Sequence, residues 1–242
     1  MQARLITEGE MYRSSAMLLA AVVVLVSSTA AGRAQDAVEV LETVRKAIGG
    51  TAPGMLRITA AGSGYAVAEG ASRQHFRIES YTQEMDLTAP SISERLVRID
   101  TAARDGQKAN RVDTRAASPD SPWSEQYRLW TTPHGFLIAA ASRPASVTNE
   151  TFQGSAYRLV TVTLANGRQV RGYVNGDNIL ERTRTDFEDP ALGKVQFEAA
   201  YLQWADFNGM KFPTMIIEKE NNEISRILIV ERVEAGGPRR TS

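Results

Sequence analysis

The sequence contains no cysteine, and its only histidines, His75 and His134, lie far apart in the chain. Without cysteine the protein has neither a disulfide nor a thiol nucleophile, so packing alone must stabilise it. A zinc hydrolase needs several ligands at a characteristic local spacing, which two separated histidines do not provide. The Gly-x-Ser-x-Gly motif of serine hydrolases is also missing. We therefore predict no catalytic residue, no metal site, no cofactor and no enzyme activity.

An excess of charge of one sign is absent as well. The 28 basic and 28 acidic residues balance to a formal net charge of zero, and the basic residues are scattered along the chain. Nucleic-acid-binding proteins usually show a basic patch or stripe on one face. We therefore expect no nucleic-acid partner and no electrostatic attachment to an anionic membrane.

The N-terminal region has the features of a secretory signal peptide. Met17–Val26 is an unbroken apolar run with Arg13 before it and small residues after it, ending at Gly32–Ala34. This run is shorter than the roughly 20 residues that span a bilayer. We predict a signal peptide at residues 1–34, with Met11 as the true start, and a periplasmic or secreted protein. No stable membrane insertion is therefore expected after cleavage. A lipid anchor of the bacterial lipoprotein type would require a cysteine beyond the signal.

The second half of the chain, Ala156–Val233, predicts a meander of about six antiparallel strands. Val160, Val162 and Leu164 alternate along one face of the first strand, and Asn166–Gly167 follows them. Asn-Gly between two strand-like runs is a strong hairpin signal, which here predicts a type I′ turn. The connections are too short for helical crossovers, so a parallel sheet is excluded.

Two strands of this meander carry further expectations. Ile179–Phe187 places charged residues on one face and polar ones on the other, so much of it is expected to face water. Pro213 cannot donate a hydrogen bond within a sheet, which indicates an edge or a bulge nearby.

The first half of the chain predicts two helices. Residues 36–48 carry apolar side chains at helical spacing, and Gly49–Gly50 follows as a C-cap. Thr132 as N-cap and Pro133 as the first helical residue predict a short helix at 133–141. We predict further strands at Met55–Ala61, Phe76–Leu87 and Glu94–Ala102, with Gly62–Gly64 as a breaker, and a strand flanked by loop within Ala103–Pro122, with β-type sequence on both sides.

The predicted fold is a single α+β domain at residues 35–235, followed by a flexible tail at 236–242. Its main element is a large, strongly curved antiparallel β-sheet of about ten strands, which forms an incomplete barrel. The N-terminal helix and the short second helix are expected to pack on the concave side of this sheet.

A set of apolar side chains is a candidate binding site. On the alternation above they are expected to face the inside of the sheet, where they could line an apolar groove. The alternative, which remains open, is that they are core residues only. The candidate groove consists of Trp130, Phe136, Leu137, Phe197, Tyr201 and Phe212.

Three stretches of the chain carry a family resemblance. They are Gln126–Leu137 (QYRLWTTPHGFL), Gly172–Asn175 (GYVN) with Glu181–Arg182, and Trp204–Thr214 (WADFNGMKFPT). Together they resemble the N-terminal, non-catalytic region of certain secreted bacterial metallo-β-lactamase-fold hydrolases. In that family a zinc-binding hydrolase domain follows, and its His-x-His-x-Asp-His motif is absent from this chain. The predicted topology also looks like that of the periplasmic lipoprotein carriers, although fold does not fix function.

Two classes of function stay open. The first is an exported, non-enzymatic domain that binds an apolar small molecule, an acyl chain or a lipid- or lipoprotein-like partner in the concave face of the sheet. The alternative, implied by the resemblance, is an accessory N-terminal domain of a metallo-β-lactamase-fold hydrolase. Such a domain would also be non-enzymatic and would have a separate hydrolase as its partner. The second class is a hydrolase relic that still acts.

Overall fold

The computed structural model describes residues 37–50, 53–67, 73–100, 110–190 and 193–236. All eleven strands in this part of the chain belong to one antiparallel sheet. The predicted signal peptide at 1–34 lies outside the described residues, as does the predicted tail apart from Gly236, the last residue of the final strand.

The strands follow one another closely in sequence, as expected for a meander. In chain order they are β1 Met55–Val67, β2 Arg73–Asp86, β3 Ser91–Asp100, β4 Asn110–Ala117, β5 Ala145–Phe152, β6 Ser155–Thr163, β7 Gln169–Val174, β8 Leu180–Asp189, β9 Gly193–Phe207, β10 Met210–Glu220 and β11 Glu223–Gly236.

The sheet is open and has β4 and β5 at its two edges. Its strand order is β4-β3-β2-β1-β11-β10-β9-β8-β7-β6-β5. The chain therefore runs outward from β1 to β4, crosses to the opposite edge and returns strand by strand to β11. There β11 pairs with β1, for example Gly64 with Arg226. The predicted large, open antiparallel sheet is confirmed, with eleven strands where about ten were expected.

Three helices accompany the sheet: α1 at residues 37–47, α2 Trp123–Trp130 and α3 Pro133–Ser142. The helices predicted at 36–48 and 133–141 are confirmed, including the N-cap, since the Thr132 hydroxyl accepts the Gly135 N–H at 3.1 Å. Helix α2 was not expected, because β-type sequence was predicted beyond Pro122. Trp123, Tyr127 and Trp130 have the i, i+4, i+7 spacing of a helix face, which is the sequence signal for it. None of the described helices is both long and apolar enough to cross a membrane.

Two predictions of local structure require correction. The Asn166–Gly167 hairpin forms, but the Gly167 N–H donates to the Leu164 carbonyl at 2.9 Å, so Gly167 follows the turn in a left-handed conformation with φ of 76°. This is the three-residue hairpin loop and not a type I′ turn. The predicted breaker at Gly62–Gly64 does not end β1. A Cβ at Gly62 would lie 2.0 Å from the Ile227 carbonyl oxygen. Glycine there lets β11 approach, and the strand continues.

Pro213 lies in β10, which is an interior strand of the sheet. Pro213 pairs with Trp204 of β9 on one side, whereas the pairing of β10 with β11 on the other side begins only at Met215. Pro213 therefore occupies a local edge, where no donor is needed, as the sequence predicts.

The core lies between the concave face of the sheet and the three helices. Val40 and Val44 of α1, Leu129 of α2 and Phe136 of α3 belong to one apolar cluster with the inward residues of the strands. Phe136 lies directly over Gly172 of β7, where a Cβ would stand 2.4 Å from its ring. The helices therefore fill much of the concavity, and the part they leave open defines the candidate site.

Candidate functional site

The six side chains predicted to line a groove are packed in the core. Trp130, Phe136, Phe197, Tyr201 and Phe212 are at most 8% exposed, and Leu137 is partly buried against the same cluster. The structure brings them together on the concave side, as expected. The cavity that Phe197, Tyr201 and Phe212 share measures only about 20 Å³, which is room for about one water molecule. A ligand of acyl-chain size has no room among them in this conformation.

Two polar side chains beneath the helices cap the C-terminal end of α2. The Thr183 hydroxyl donates to the Thr131 carbonyl at 2.9 Å, and the Tyr201 hydroxyl donates to the same oxygen. They satisfy a carbonyl that the helix end leaves without an intrahelical partner. The prediction that Ile179–Phe187 is largely wet is therefore wrong on its inner face, where Thr183 and Thr185 are buried.

A buried cluster of charges connects α2 to the sheet. Arg128 of α2 donates to Glu218 of β10 at 2.7 Å, and Arg226 of β11 binds both oxygens of Glu218 at 2.8 Å. Glu94 of β3 lies 3.7 Å from Arg128 and 3.5 Å from Arg226, and it accepts the hydroxyl of Tyr81. Two guanidinium groups thus face two carboxylates, and these four charged residues are the charge cluster.

The carboxylates of the charge cluster are ionised despite their burial. Burial alone would raise the pKa of Glu218, but Arg128 and Arg226 lower it to about 2. The same balance holds for Glu94, where burial opposes the two arginines and they keep the pKa below its ordinary value. Burial raises the pKa of Tyr81 well above its ordinary value, and the nearby Glu94 adds to the effect, so Tyr81 is a hydrogen-bond donor.

The open part of the concave face lies between α2 and the edge strand β4. A cavity of about 550 Å³ there, which we call the β4 groove, is lined by Ile92 of β3, Ala117 of β4, Tyr127 of α2 and Phe187 of β8. Apart from Ala116, its remaining wall is polar and consists of Glu94, Thr114, Arg115, Ser124, Glu125, Asp189 and Glu220. The groove therefore offers one apolar and one charged wall to a ligand.

A second cavity continues the β4 groove along β3 and β4. It measures about 240 Å³ and shares Glu94, Arg115 and Glu220 with the groove. We call it the arginine pocket, because Arg73, Arg98, Arg115, Arg128 and Arg226 all line it. Among the described residues, no group of three or more histidine, aspartate or glutamate side chains is arranged to hold a metal ion.

Comparison with known proteins gives similarity in fold only. No family model and no curated protein matches the chain. The solved structures similar to it include a DUF1329 family protein from Desulfovibrio piger, with 11% identity over 84% of this chain and 93% of that one and a TM-score of 0.45. A LolA superfamily protein from Nitrosomonas europaea has 12% identity over 87% and 95% and a TM-score of 0.45.

A third similar structure is a domain from Vibrio parahaemolyticus assigned to outer membrane lipoprotein sorting, with 11% identity over 84% of this chain and 93% of that one and a TM-score of 0.42. All three TM-scores are below 0.5, so nothing about ligand or activity follows from them. The metallo-β-lactamase-fold resemblance finds no support in these comparisons and stays a prediction.

The residues of the two cavities were not predicted from the sequence, yet a signal for them exists. In β3, Glu94 stands between Ile92 and Leu96 on the inward face, and Arg226 precedes Leu228 and Val230 on the inward face of β11. A charged side chain at an inward-facing position of a strand must form an ion pair or bind a ligand, because burying it alone is costly. Such positions are candidates that a search for catalytic motifs does not detect.

His134 is a buried titratable group beside the predicted apolar residues. It is 3% exposed, stacks on Phe212 with ring centroids 5.8 Å apart, and its Nδ1 has no hydrogen-bond partner among the described residues. Burial lowers its pKa from the ordinary 6.5 to about 4, because the imidazolium would be desolvated. The histidine is therefore neutral and part of the core.

This burial predicts an acid-sensitive stability. Below pH 6.5 the unfolded chain binds a proton at His134, whereas the folded protein binds one there only near pH 4. The free energy of unfolding therefore falls as the pH is lowered through this window. The gap between the two pKa values corresponds to about 3 kcal/mol. Urea denaturation of the wild type and His134→Gln at pH 7 and pH 4 measures it, and the loss should be smaller by this amount in the variant.

An equal loss in both proteins would contradict the assignment. The window is separable from that of Glu218, whose lowered pKa stabilises the fold above its ordinary 4.5 and whose contribution is lost only between pH 4.5 and about 2.

Proposed function

We propose that the protein is a non-enzymatic binding protein that holds an amphipathic molecule with an acyl-like apolar part in the β4 groove. The observation that carries this proposal is the 550 Å³ cavity between β4 and α2. Its volume lies in the range of small-molecule sites, which is about 300–1,000 Å³. We further propose, from the signal-like N-terminus, that it works in the periplasm or outside the cell.

The composition of the wall favours a ligand with two characters. Tyr127 and Phe187 stack with ring centroids 4.5 Å apart, and Ile92 and Ala117 are buried beside them. These residues can bury an apolar chain, which contributes about 0.8 kcal/mol for each methylene group. Arg115 and Ser124 on the same groove can bind a polar end. The proposed ligand is thus of the predicted class, but its proposed site lies at the open edge of the sheet and not in the filled core.

Filling the groove with a large side chain should weaken binding. Ser124 is half-buried in the first turn of α2 and lines the groove. We expect Ser124→Trp to weaken the saturable binding of a fluorescent fatty acid at least tenfold, measured by titration of the purified full chain. Shortening the fatty acid by two carbons should cost about 1.6 kcal/mol, or roughly fifteenfold in affinity.

The matched control is Ser146→Trp, because Ser146 is exposed on the opposite edge strand β5 and lines none of the described cavities. It should leave the affinity unchanged. Absence of saturable binding by the wild type would refute the proposal. Equal weakening by both variants would show that the ligand does not occupy the β4 groove.

A further inference from the structure

We propose that the arginine pocket is an oxyanion subsite that binds the carboxylate or phosphate head group of the ligand. This inference rests on the proposed function, since the pocket adjoins the β4 groove and shares with it the lining residues Glu94, Arg115 and Glu220. A single amphipathic molecule can therefore place its apolar part in the groove and its charged end in the pocket.

The pocket holds hydrogen-bond donors that the described residues do not satisfy. Nε of Arg98, Nε of Arg128 and the hydroxyl of Ser225 are buried and form no hydrogen bond with any residue in the described ranges. Ser225 and Arg128 are 6% and 8% exposed. Buried donors without an acceptor are rare and costly. Nε of Arg98 and Nε of Arg128 lie 3.4 and 3.7 Å from the carboxylates of Asp113 and Glu94 without forming hydrogen bonds. An oxyanion in this cavity would supply closer acceptors.

Most carboxylates near the pocket are already committed. Three carboxylates line the pocket itself: Glu94 lies 3.7 Å from Arg128 and 3.5 Å from Arg226, Asp113 lies 3.4 Å from Arg98, and Glu220 lies 4.0 Å from Arg128. Beside the pocket, Glu218 is held by Arg128 and Arg226, and Glu223 by Arg73 at 2.7 Å. A guanidinium group carries five donors, so these pairs balance charge without satisfying the donors.

Two of the arginines are the most available to a ligand. Nε of Arg98 forms ion pairs with Asp100 and Asp113 at 3.5 and 3.4 Å, but it forms no hydrogen bond with a described residue. Its guanidinium lies over the Phe76 ring at 4.8 Å, which holds the plane in place. Arg115 is exposed on β4 and forms no ion pair with any residue that the structure describes.

An oxyanion fits these donors better than a neutral ligand does. Carboxylate and phosphate oxygens accept paired hydrogen bonds from the fork of a guanidinium, and such charge-assisted bonds are roughly twice as strong as neutral ones. Phe76 and Leu96 line the same pocket, and apolar side chains beside a charge-assisted bond lower the local dielectric constant and so strengthen it.

The test compares ligands that share a tail and differ in the head. Laurate and dodecanol compete with a fluorescent fatty acid for the full chain, and inorganic phosphate is titrated alone by calorimetry. We expect the wild type to prefer laurate over dodecanol by about tenfold or more, with the preference falling as salt is added. In Arg115→Gln and in Arg98→Gln the preference should fall towards one while dodecanol affinity is retained.

Arg77→Gln is the matched control. Arg77 lies on the neighbouring strand β2, its side chain is 60% exposed, and it lines none of the described cavities. It should leave the preference for laurate intact. Circular dichroism of each variant shows whether folding is retained, and Arg115→Gln is the safer variant because Arg115 is exposed on the edge strand β4.

The outcomes separate this inference from the proposed function. Equal binding of laurate and dodecanol by the wild type would overturn the oxyanion subsite and leave the proposed function standing. Phosphate binding that Arg115→Gln weakens, with no binding of either amphiphile, would support the subsite for a free anion and overturn the proposed function. No binding of any probe would overturn both.

Discussion

Replacing Glu218 by alanine is expected to lower the free energy of unfolding by about 3–5 kcal/mol. The substitution removes the carboxylate that Arg128 and Arg226 share at 2.7–2.8 Å. It leaves the two buried guanidinium groups with Glu94 and with the partly exposed Glu220, which is 4.0 Å from Arg128. Breaking a buried ion pair by removing one partner has a cost of this size, because the remaining charge is uncompensated. Urea denaturation followed by circular dichroism at pH 7 measures the change.

An exposed ion pair in the same sheet provides the control. Arg232 and Glu234 on β11 lie 2.7 Å apart, but their side chains are 70% and 43% exposed. Exposed pairs contribute at most about 1 kcal/mol, so Glu234→Ala should have little effect. A similarly small loss for Glu218→Ala would mean that water reaches the two arginines and that the charge cluster is not a buried network.

Replacing Phe136 by alanine should also lower the free energy of unfolding by about 3–5 kcal/mol. Phe136 is fully buried, and its ring fills the space above Gly172. Removing it leaves a cavity that rigid strands cannot close. For the same reason Phe136→Asp would place an unpaired carboxylate in the core, so that variant would test folding and not ligand binding.

A double-mutant cycle makes this prediction specific. Gly172→Ala alone should destabilise by about 1–3 kcal/mol, because its Cβ would lie 2.4 Å from the Phe136 ring and 2.9 Å from Leu180. In the Phe136→Ala background the same change should cost much less. Gly176→Ala is the control, since a Cβ there would have nothing within 4 Å. Additive effects in the cycle would exclude direct packing of Phe136 on Gly172.

The features that the sequence predicts correctly are those whose chemistry is local. The Thr132 N-cap with Pro133 specifies the start of α3 within four residues, and the alternation of Val160 and Val162 specifies the inward face of β6. Helix α2 depends on distant partners: Trp123 donates to the Asp186 carbonyl at 2.7 Å, and Arg128 reaches β10. Propensity cannot report such tertiary contacts.

The candidate site could not be located from the sequence for a related reason. Alternation correctly placed Phe197, Tyr201 and Phe212 on the inside of the sheet, but it cannot tell a filled interior from an empty one. Whether space remains depends on how α2 and α3 lie over β7 and β8. The β4 groove forms where that cover ends, between segments that the sequence separates widely, such as Ile92 and Phe187.

The pairing of β1 with β11 has a consequence for how the chain folds. Every other pair of neighbouring strands in the sheet is consecutive in the chain, whereas the second edge of β1 is covered only when the last described strand, β11, has formed. Closing so long a loop has a large entropic cost and slows folding. Until β11 is made, β1 presents an open strand edge to other chains, which is a site for aggregation. If the protein is exported, as proposed above, that interval falls during synthesis and transport, when a chaperone that covers exposed strands would protect this edge.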